Sequence, residues 1–202
     1  MKLTVLGATG GTGRLVVEQA LAAGHSVTAL VRDPQKLTVH DANLRVVAGN
    51  ATDAAAVYRA LEGADAMVTT LGGGGSLIAD STAAIVEAAH KAGVKRVVML
   101  STFAVERDGM DVVTRTITGL GMGSMIKDKV IGERLLRESD LDWTIAYASI
   151  LTDSAAGGPV KVLPDGSRRR LSQRISRADV ATWMLHAAAG DQHARRAVGI
   201  TG

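Results

Sequence analysis

Cysteine is absent from this chain of 202 residues. Its absence excludes disulfides, thiolate metal sites and a cysteine nucleophile, and it suits the reducing cytoplasm. No metal site is expected. Aromatic residues are scarce: two Trp, two Tyr and one Phe. Stacking platforms for single-stranded nucleic acid would therefore be poor. No apolar run reaches about 18 residues, so no membrane span is expected. Residues 1–6 carry one lysine and run straight into an apolar stretch with no cleavage site after it, so no signal peptide is expected. Charge is nearly balanced, with 23 basic against 20 acidic residues and a net charge of +3. The basic residues are scattered except at Arg168-Arg169-Arg170. A mildly basic enzyme surface fits this pattern better than a nucleic-acid footprint.

What is present is alternation. Short apolar runs at Leu3–Leu6, Val27–Val31, Leu44–Ala48, Ala66–Thr70, Val94–Leu100 and Trp143–Tyr147 read as strands. Between them lie helical stretches at Gly11–Ala23, at 54–61 behind a Thr52 or Asp53 cap, at Leu77–Lys91 and at Ser124–Ser139. Gly24, Gly63 and Gly93 stand where these helices should stop. Strands that are apolar throughout, alternating with helices, predict a parallel sheet covered on both faces. Right-handed crossovers then make it a doubly wound α/β fold of the Rossmann-like kind. The length fits a single domain over 1–202. The last third differs. Val160–Leu163, the turn Pro164-Asp165-Gly166-Ser167 and Arg168–Leu171 read as a hairpin, and 153–175 as a small C-terminal cap. Ser176-Arg177-Ala178-Asp179 is a capping-box-like start for a helix over Val180–Ala188.

The first strand runs into Gly7-x-x-Gly10-x-x-Gly13. Glycine permits a tight turn and lets the backbone approach a pyrophosphate, while the following helix aims free N–H groups at that anion. By itself the triplet says little; between a strand and a periodic helix it points to a nucleotide. The candidate phosphate residues are Gly7, Thr9, Gly10, Gly11, Thr12 and Gly13. The second strand ends in Arg32, then Asp33. A guanidinium suits the 2′-phosphate of NADP(H), whereas a carboxylate suits the ribose hydroxyls of NAD. Arg32 favours NADP(H), with Arg14 as a second cation; the other reading makes Arg32 a solvated loop residue and Asp33 the ribose ligand.

GATGGTG, VRDPQKL, AGNATD, the pair Ser101-Thr102, KVIGERLLRESDLDWTI and ISRADVA together form a pattern. It resembles the atypical short-chain dehydrogenase/reductases of the NAD(P)-binding, NmrA-like kind, and most of all the biliverdin-IXβ reductase/flavin reductase group. The likeness runs over residues 2–188. It implies an NADP(H)-binding Rossmann domain with the pyrophosphate on Gly10–Gly13 and the 2′-phosphate on Arg32. It places Asn50 and Ala51 at the adenine, Leu71 and Gly72 along the cofactor, and Ser101-Thr102 at a strand end, with Thr102 near the nicotinamide. Ala148, Ser149 and Ile150 would wall the nicotinamide. Asn50 stands where the family usually has Asp, and Tyr147-Ala148 where relatives often have Arg-Pro or two prolines.

The usual short-chain enzymes use Tyr-x-x-x-Lys as their acid. Here Tyr58 is followed four residues on by Glu62 and Tyr147 by Leu151, so neither makes the pair. Lys129 remains, with Glu133 one turn on: it stands either near the nicotinamide ribose or substrate, or in an exposed helix ion pair. Acceptors that take hydride at low barrier need little acid catalysis. The expected function is therefore NADPH-dependent reduction of a flavin, quinone or similar conjugated acceptor such as a tetrapyrrole, with Thr102 and Lys129 as candidate catalytic residues. The alternative is a non-catalytic NADP(H) sensor. The expected partner is a small molecule, and the protein a monomer or small homo-oligomer. Residues 103–123 and the 153–170 cap are expected to close the pocket. The methionines of 110–126 suit either a flat ligand or core filling. Arg168-Arg169-Arg170 reads as a solvated hairpin in preference to an attractor for an anionic acceptor.

Overall fold

The first strand, β1 (Lys2–Leu6), is buried from its second residue onward. Leu3, Val5 and Leu6 supply apolar side chains for burial on both sides. The polar residue between them, Thr4, is satisfied by donating to the Ala60 carbonyl at 2.8 Å. The computed structural model describes residues 1–105, 123–167 and 172–202. The roles expected of the stretch 106–122 and of Arg168–Arg170 lie outside the described residues.

The elements in chain order are α1 (Gly11–Ala22), β2 (Ser26–Val31), β3 (Leu44–Ala48), α2 (Ala54–Leu61), β4 (Ala66–Thr69), α3 (Leu77–Ala92) and β5 (Arg96–Thr102). They continue as α4 (Gly123–Glu138), β6 (Asp142–Ala148), β7 (Ile150–Thr152), β8 (Lys161–Leu163), β9 (Arg174–Ser176), α5 (Arg177–Ala189) and β10 (Arg196–Thr201). The main sheet is eight-stranded in the order β3-β2-β1-β4-β5-β6-β10-β8. All its neighbours pair in parallel except β8, which runs antiparallel to β10. The strand order reverses between β1 and β4. That is the switch point at which open α/β sheets bind ligands, beyond the carboxyl ends of the strands.

One apolar layer sits between the sheet and α1 with α5, around Val16, Val17, Val180 and Met184. The other sits under α2, α3 and α4, around Val57, Ile85 and Leu136. The helix stops act as read: Gly24, Gly63 and Gly93 all adopt positive φ. Asp53 is the cap of α2, its side chain accepting from the Ala55 N–H. Strand β5 is shifted two residues along from the expected Val94–Leu100. The Val94 N–H instead closes the end of α3 on the Ala89 carbonyl at 3.0 Å. The shift carries Ser101 and Thr102 into the strand.

Strand β10 was not foreseen in the sequence. It pairs with β6, from Arg196↔Thr144 to Ile200↔Ala148. The expected turn at Pro164–Ser167 forms, with the Ser167 N–H on the Pro164 carbonyl at 3.1 Å. Its first arm is β8, which extends the main sheet against β10, while the second arm, 168–171, lies outside the described residues. Strands β7 and β9 form a separate parallel ribbon. No helix among the described residues is long and apolar enough to cross a membrane.

Candidate functional site

The site begins where β1 ends. Gly7 has φ +82°, and a Cβ there would stand 2.7 Å from Thr70 Oγ1. Only glycine combines that conformation with that contact. The Gly10 N–H donates to the Gly7 carbonyl at 2.9 Å and closes the turn. A Cβ on Gly13 would lie 2.1 Å from the same carbonyl oxygen, so α1 can approach the loop only with glycine there. Gly10 caps α1 without a side-chain hydrogen bond, and the first turn holds no acidic residue. Among the described residues the N–H groups of Gly11, Thr12 and Gly13 have no acceptor. The loop therefore presents free donors and the positive end of a helix to the solvent side of the sheet.

Beside this loop lies a cavity of about 250 Å³. Its floor is Gly7, Thr9 and Gly10, and Arg32 stands on its rim at the end of β2. Asn50 and Ala51 follow β3, and Leu71 and Gly72 follow β4. Leu30, Val31, Gly49, Thr70 and Leu77 complete the wall. Asn50 anchors its own turn, its Oδ1 accepting from the Thr52 N–H at 3.3 Å. Arg32 is exposed and forms no hydrogen bond or ion pair among the described residues. Asp33 does not reach the cavity. Its carboxylate caps the turn at Pro34–Lys36, accepting from the Gln35 N–H at 3.1 Å and facing Lys36 at 3.8 Å. Asp33 thus serves the local turn through Oδ1, and its carboxylate stays partly exposed. Arg14 pairs through one guanidinium nitrogen with Glu18 at 2.8 Å on the exposed face of α1.

The other expected residues lie beyond this cavity, at the carboxyl ends of β5 and β6. Ser101 and Tyr147 are direct cross-strand partners, as are Thr102 and Ala148. Glu133 of α4 reaches between the first pair. One carboxylate oxygen accepts from Ser101 Oγ at 2.5 Å and the other from the Tyr147 hydroxyl. Arg137 donates to that hydroxyl at 3.0 Å. The exposed Lys129–Glu133 ion pair is not found. Both residues are buried, at 8% and 3% exposure, because α4 packs this face inward. Burial pushes the Glu133 carboxyl up, against the opposing hydrogen bonds from Ser101 and Tyr147. Burial pushes the Lys129 ammonium down. Burial, then the facing Glu133 carboxylate, raises the Tyr147 phenol. The ammonium of Lys129 forms no hydrogen bond among the described residues.

Ser101, expected at the cofactor, thus has its hydroxyl committed to Glu133. Thr102 is half-buried, its hydroxyl accepting from the Ala104 N–H at 3.3 Å. Ala148 is buried in the core against α5. Ser149 donates to Thr201 Oγ1 at 3.2 Å, and Ile150 opens the β7 ribbon with its N–H on the Gln173 carbonyl at 3.1 Å.

Three placements around the site went unseen in the sequence. Asp128 caps α3 from another helix, accepting from the N–H groups of Ile78 and Ala79 at 2.8 and 2.9 Å. Tyr147 entered as a tyrosine lacking its lysine and as a departure from the family pattern, not as a partner of Glu133. Arg177 lies against the glycine loop: a Cβ on Gly11 would stand 3.1 Å from its Cδ and Nε. The ISRADVA motif was a signal for this last residue, but it reads locally only as a helix cap.

A parallel sheet with a glycine turn at its switch point, free helix N–H groups above it and a guanidinium beyond the next strand defines a Rossmann-type dinucleotide-binding protein. The chain belongs to the NAD(P)H-binding family, which it matches over residues 7–191, and within it resembles the atypical short-chain dehydrogenase/reductases. It is 31% identical to the (4-alkanoyl-5-oxo-2,5-dihydrofuran-3-yl)methyl phosphate reductase of Streptomyces griseus, over 99% of this chain and 67% of that protein. In structure it is similar to the short-chain dehydrogenase/reductase of Veillonella parvula in complex with NADP. That likeness has a TM-score of 0.83 at 20% identity, covering 100% of this chain and 94% of the other. It is also similar to the anaerobilin reductase ChuY of Escherichia coli O157:H7. There the TM-score is 0.82 at 24% identity, covering 99% and 96% of the two chains.

Proposed function

We propose that this protein is an NADPH-dependent oxidoreductase that reduces a conjugated small-molecule acceptor, such as a flavin, quinone or tetrapyrrole. The carrying observation is the division of polar groups between the two halves of the site. Around the glycine loop, donors are left for a ligand: three helix N–H groups and the Arg32 guanidinium. At the ends of β5 and β6, the groups that would serve as an acid are consumed by one another. Tyr147 has Glu133 and Arg137 as partners, and burial holds its proton more tightly than usual.

The residues present fit the dinucleotide. Gly7, Gly10 and Gly13 form a cradle that any Cβ at Gly13 would fill, and Arg32 has its charge uncommitted beside the cavity. The N–H groups of Gly11–Gly13 would hold the pyrophosphate, Arg32 the 2′-phosphate, and Asn50 with Ala51 the adenine. When bound, NADPH supplies the hydride. The protein's part is placement: Thr102 offers one hydrogen bond at the β5 terminus, and half-buried Ile150 shapes the wall beyond it, with Ala148 and Ser149 buried behind. Lys129, buried beside Glu133, stands on the α4 face that packs against these strand ends. Protonation of the acceptor then falls to solvent. The reductase named in S. griseus, ChuY, and the NADP held by the V. parvula protein all support this reading.

The test is turnover. Purified protein is given NADPH with FMN, riboflavin, quinones and a linear tetrapyrrole in turn, and loss of the reduced nicotinamide absorbance is followed. Turnover with one class is expected. Tight NADPH binding with no turnover on any acceptor would instead assign the sensor role.

A further inference from the structure

We propose that Arg177, the first residue of α5, is a ligand of the cofactor's pyrophosphate. The inference rests on the nucleotide reading above and adds a residue to it. Helices α1 and α5 lie side by side on one face of the sheet, tied by Gln19. Its amide donates to the Ala178 carbonyl at 3.0 Å and accepts from Thr182 Oγ1 at 3.0 Å. This register brings the start of α5 beside the start of α1. Arg177 lays its stem on Gly11, whose missing side chain leaves the room: an added Cβ would meet Cδ and Nε at 3.1 Å and Cζ at 3.9 Å. The guanidinium is thus held next to the free N–H groups of the α1 first turn.

The α5 terminus is held firmly. Ser176 caps it, accepting from the Asp179 N–H at 3.0 Å. Asp179 in turn accepts from Ser176 Oγ at 2.7 Å and the Gly157 N–H at 2.9 Å. The guanidinium itself meets one protein anion, Asp153, through Nη1 at 2.5 Å. Asp153 is 89% exposed, while Arg177 is 27% exposed. A guanidinium has five N–H donors in a planar fork. One is used, and the others have no acceptor among the described residues. A half-buried cation with spare donors, fixed over a helix N-terminus that itself lacks an anion, is complementary to a pyrophosphate. Arg32 and Arg177 then read different phosphates: the 2′-phosphate at the β2 end and the bridging diphosphate at the α1 end.

The experiment is calorimetric titration with NADPH, ADP-ribose and adenosine 2′-monophosphate. Wild type, Arg177→Ala and Arg177→Gln are compared; the glutamine variant keeps part of the stem on Gly11. Circular dichroism checks the fold. Arg177→Ala is expected to weaken NADPH and ADP-ribose about tenfold or more and to leave adenosine 2′-monophosphate unchanged. Arg177→Gln should follow it, and both variants should show a shallower dependence of ADP-ribose affinity on salt. Wild-type affinity of either variant for ADP-ribose would overturn the proposal. So would equal weakening of ADP-ribose and adenosine 2′-monophosphate, which would mean a damaged loop. Failure of wild type to bind NADPH would instead sink the nucleotide reading itself, and this assignment with it.

Discussion

At the ends of β1 and β2 polar groups are left without protein partners, whereas at the ends of β5 and β6 they are bonded to each other. The first region holds free N–H groups at Gly11–Gly13 and the uncommitted Arg32. The second holds buried Ser101, Glu133 and Tyr147 in one network, closed from the exposed side by Arg137. Unpaired donors at an exposed cavity are a binding surface, because their partner comes from solution. Donors and acceptors paired among themselves in the interior are a scaffold, because satisfying one another is what allows them to be buried. Within one sheet, the same edge therefore carries two kinds of polar group: donors open to a ligand beyond β1 and β2, and a self-satisfied network at β5 and β6.

The comparison can be broken most severely at Gly13. Gly13→Val puts a side chain into the Gly7 carbonyl, 2.1 Å from where its Cβ must start. We expect a stability loss of about 2–3 kcal/mol and loss of measurable NADPH binding, read by thermal denaturation and titration. If the variant binds NADPH as wild type does, the loop is not the phosphate cradle.

Arg32→Ala comes next. It removes a solvent-exposed cation with no structural partner, so stability should not change. NADPH affinity should fall about 10- to 100-fold and NADH affinity hardly at all. Equal losses for both cofactors would mean that Arg32 does not read the 2′-phosphate.

The smallest effect is expected in the scaffold, from Glu133→Gln. Burial raises the Glu133 carboxyl above its ordinary value, so the folded state binds this proton more tightly than the unfolded chain does. The stability it contributes is complete below the ordinary glutamate range and is lost as pH rises through the raised value. Glutamine keeps the shape and can serve Ser101 and Tyr147 without titrating. Denaturation midpoints of the two proteins should agree in acid and separate as pH rises, with the glutamine variant the more stable. Curves that stay parallel across that range would show that Glu133 is not held as described. NADPH affinity should be unchanged, which distinguishes scaffold from binding surface.

The legibility of the two halves follows the same division. Gly7, Gly10, Gly13 and Arg32 could be placed from the sequence because each does its work within a few residues of itself, in a turn, a helix start or a strand end. The cavity wall at Asn50, Ala51, Leu71 and Gly72 was reached through the family resemblance, and all four residues line it. The end at β5 and β6 was harder. Lys129 and Glu133 sit one turn apart, and spacing alone allows either an exposed pair or a buried one. Which holds depends on what α4 packs against.

By itself, then, the sequence determined the α/β alternation, the helix stops at Gly24, Gly63 and Gly93, and the anion-ready loop after β1. These are set by backbone conformation and by hydrogen bonds between near neighbours, which glycine and the capping residues dictate directly. Tertiary structure alone decided that Glu133 joins Ser101 32 residues away and Tyr147 14 away. It decided that Asp128 caps α3 across 50 residues, that β10 completes the sheet beside β6, and that Arg177 lies over Gly11. Such contacts are chosen when helices dock on the sheet, and the sequence around each partner carries no periodicity or turn chemistry that names the other.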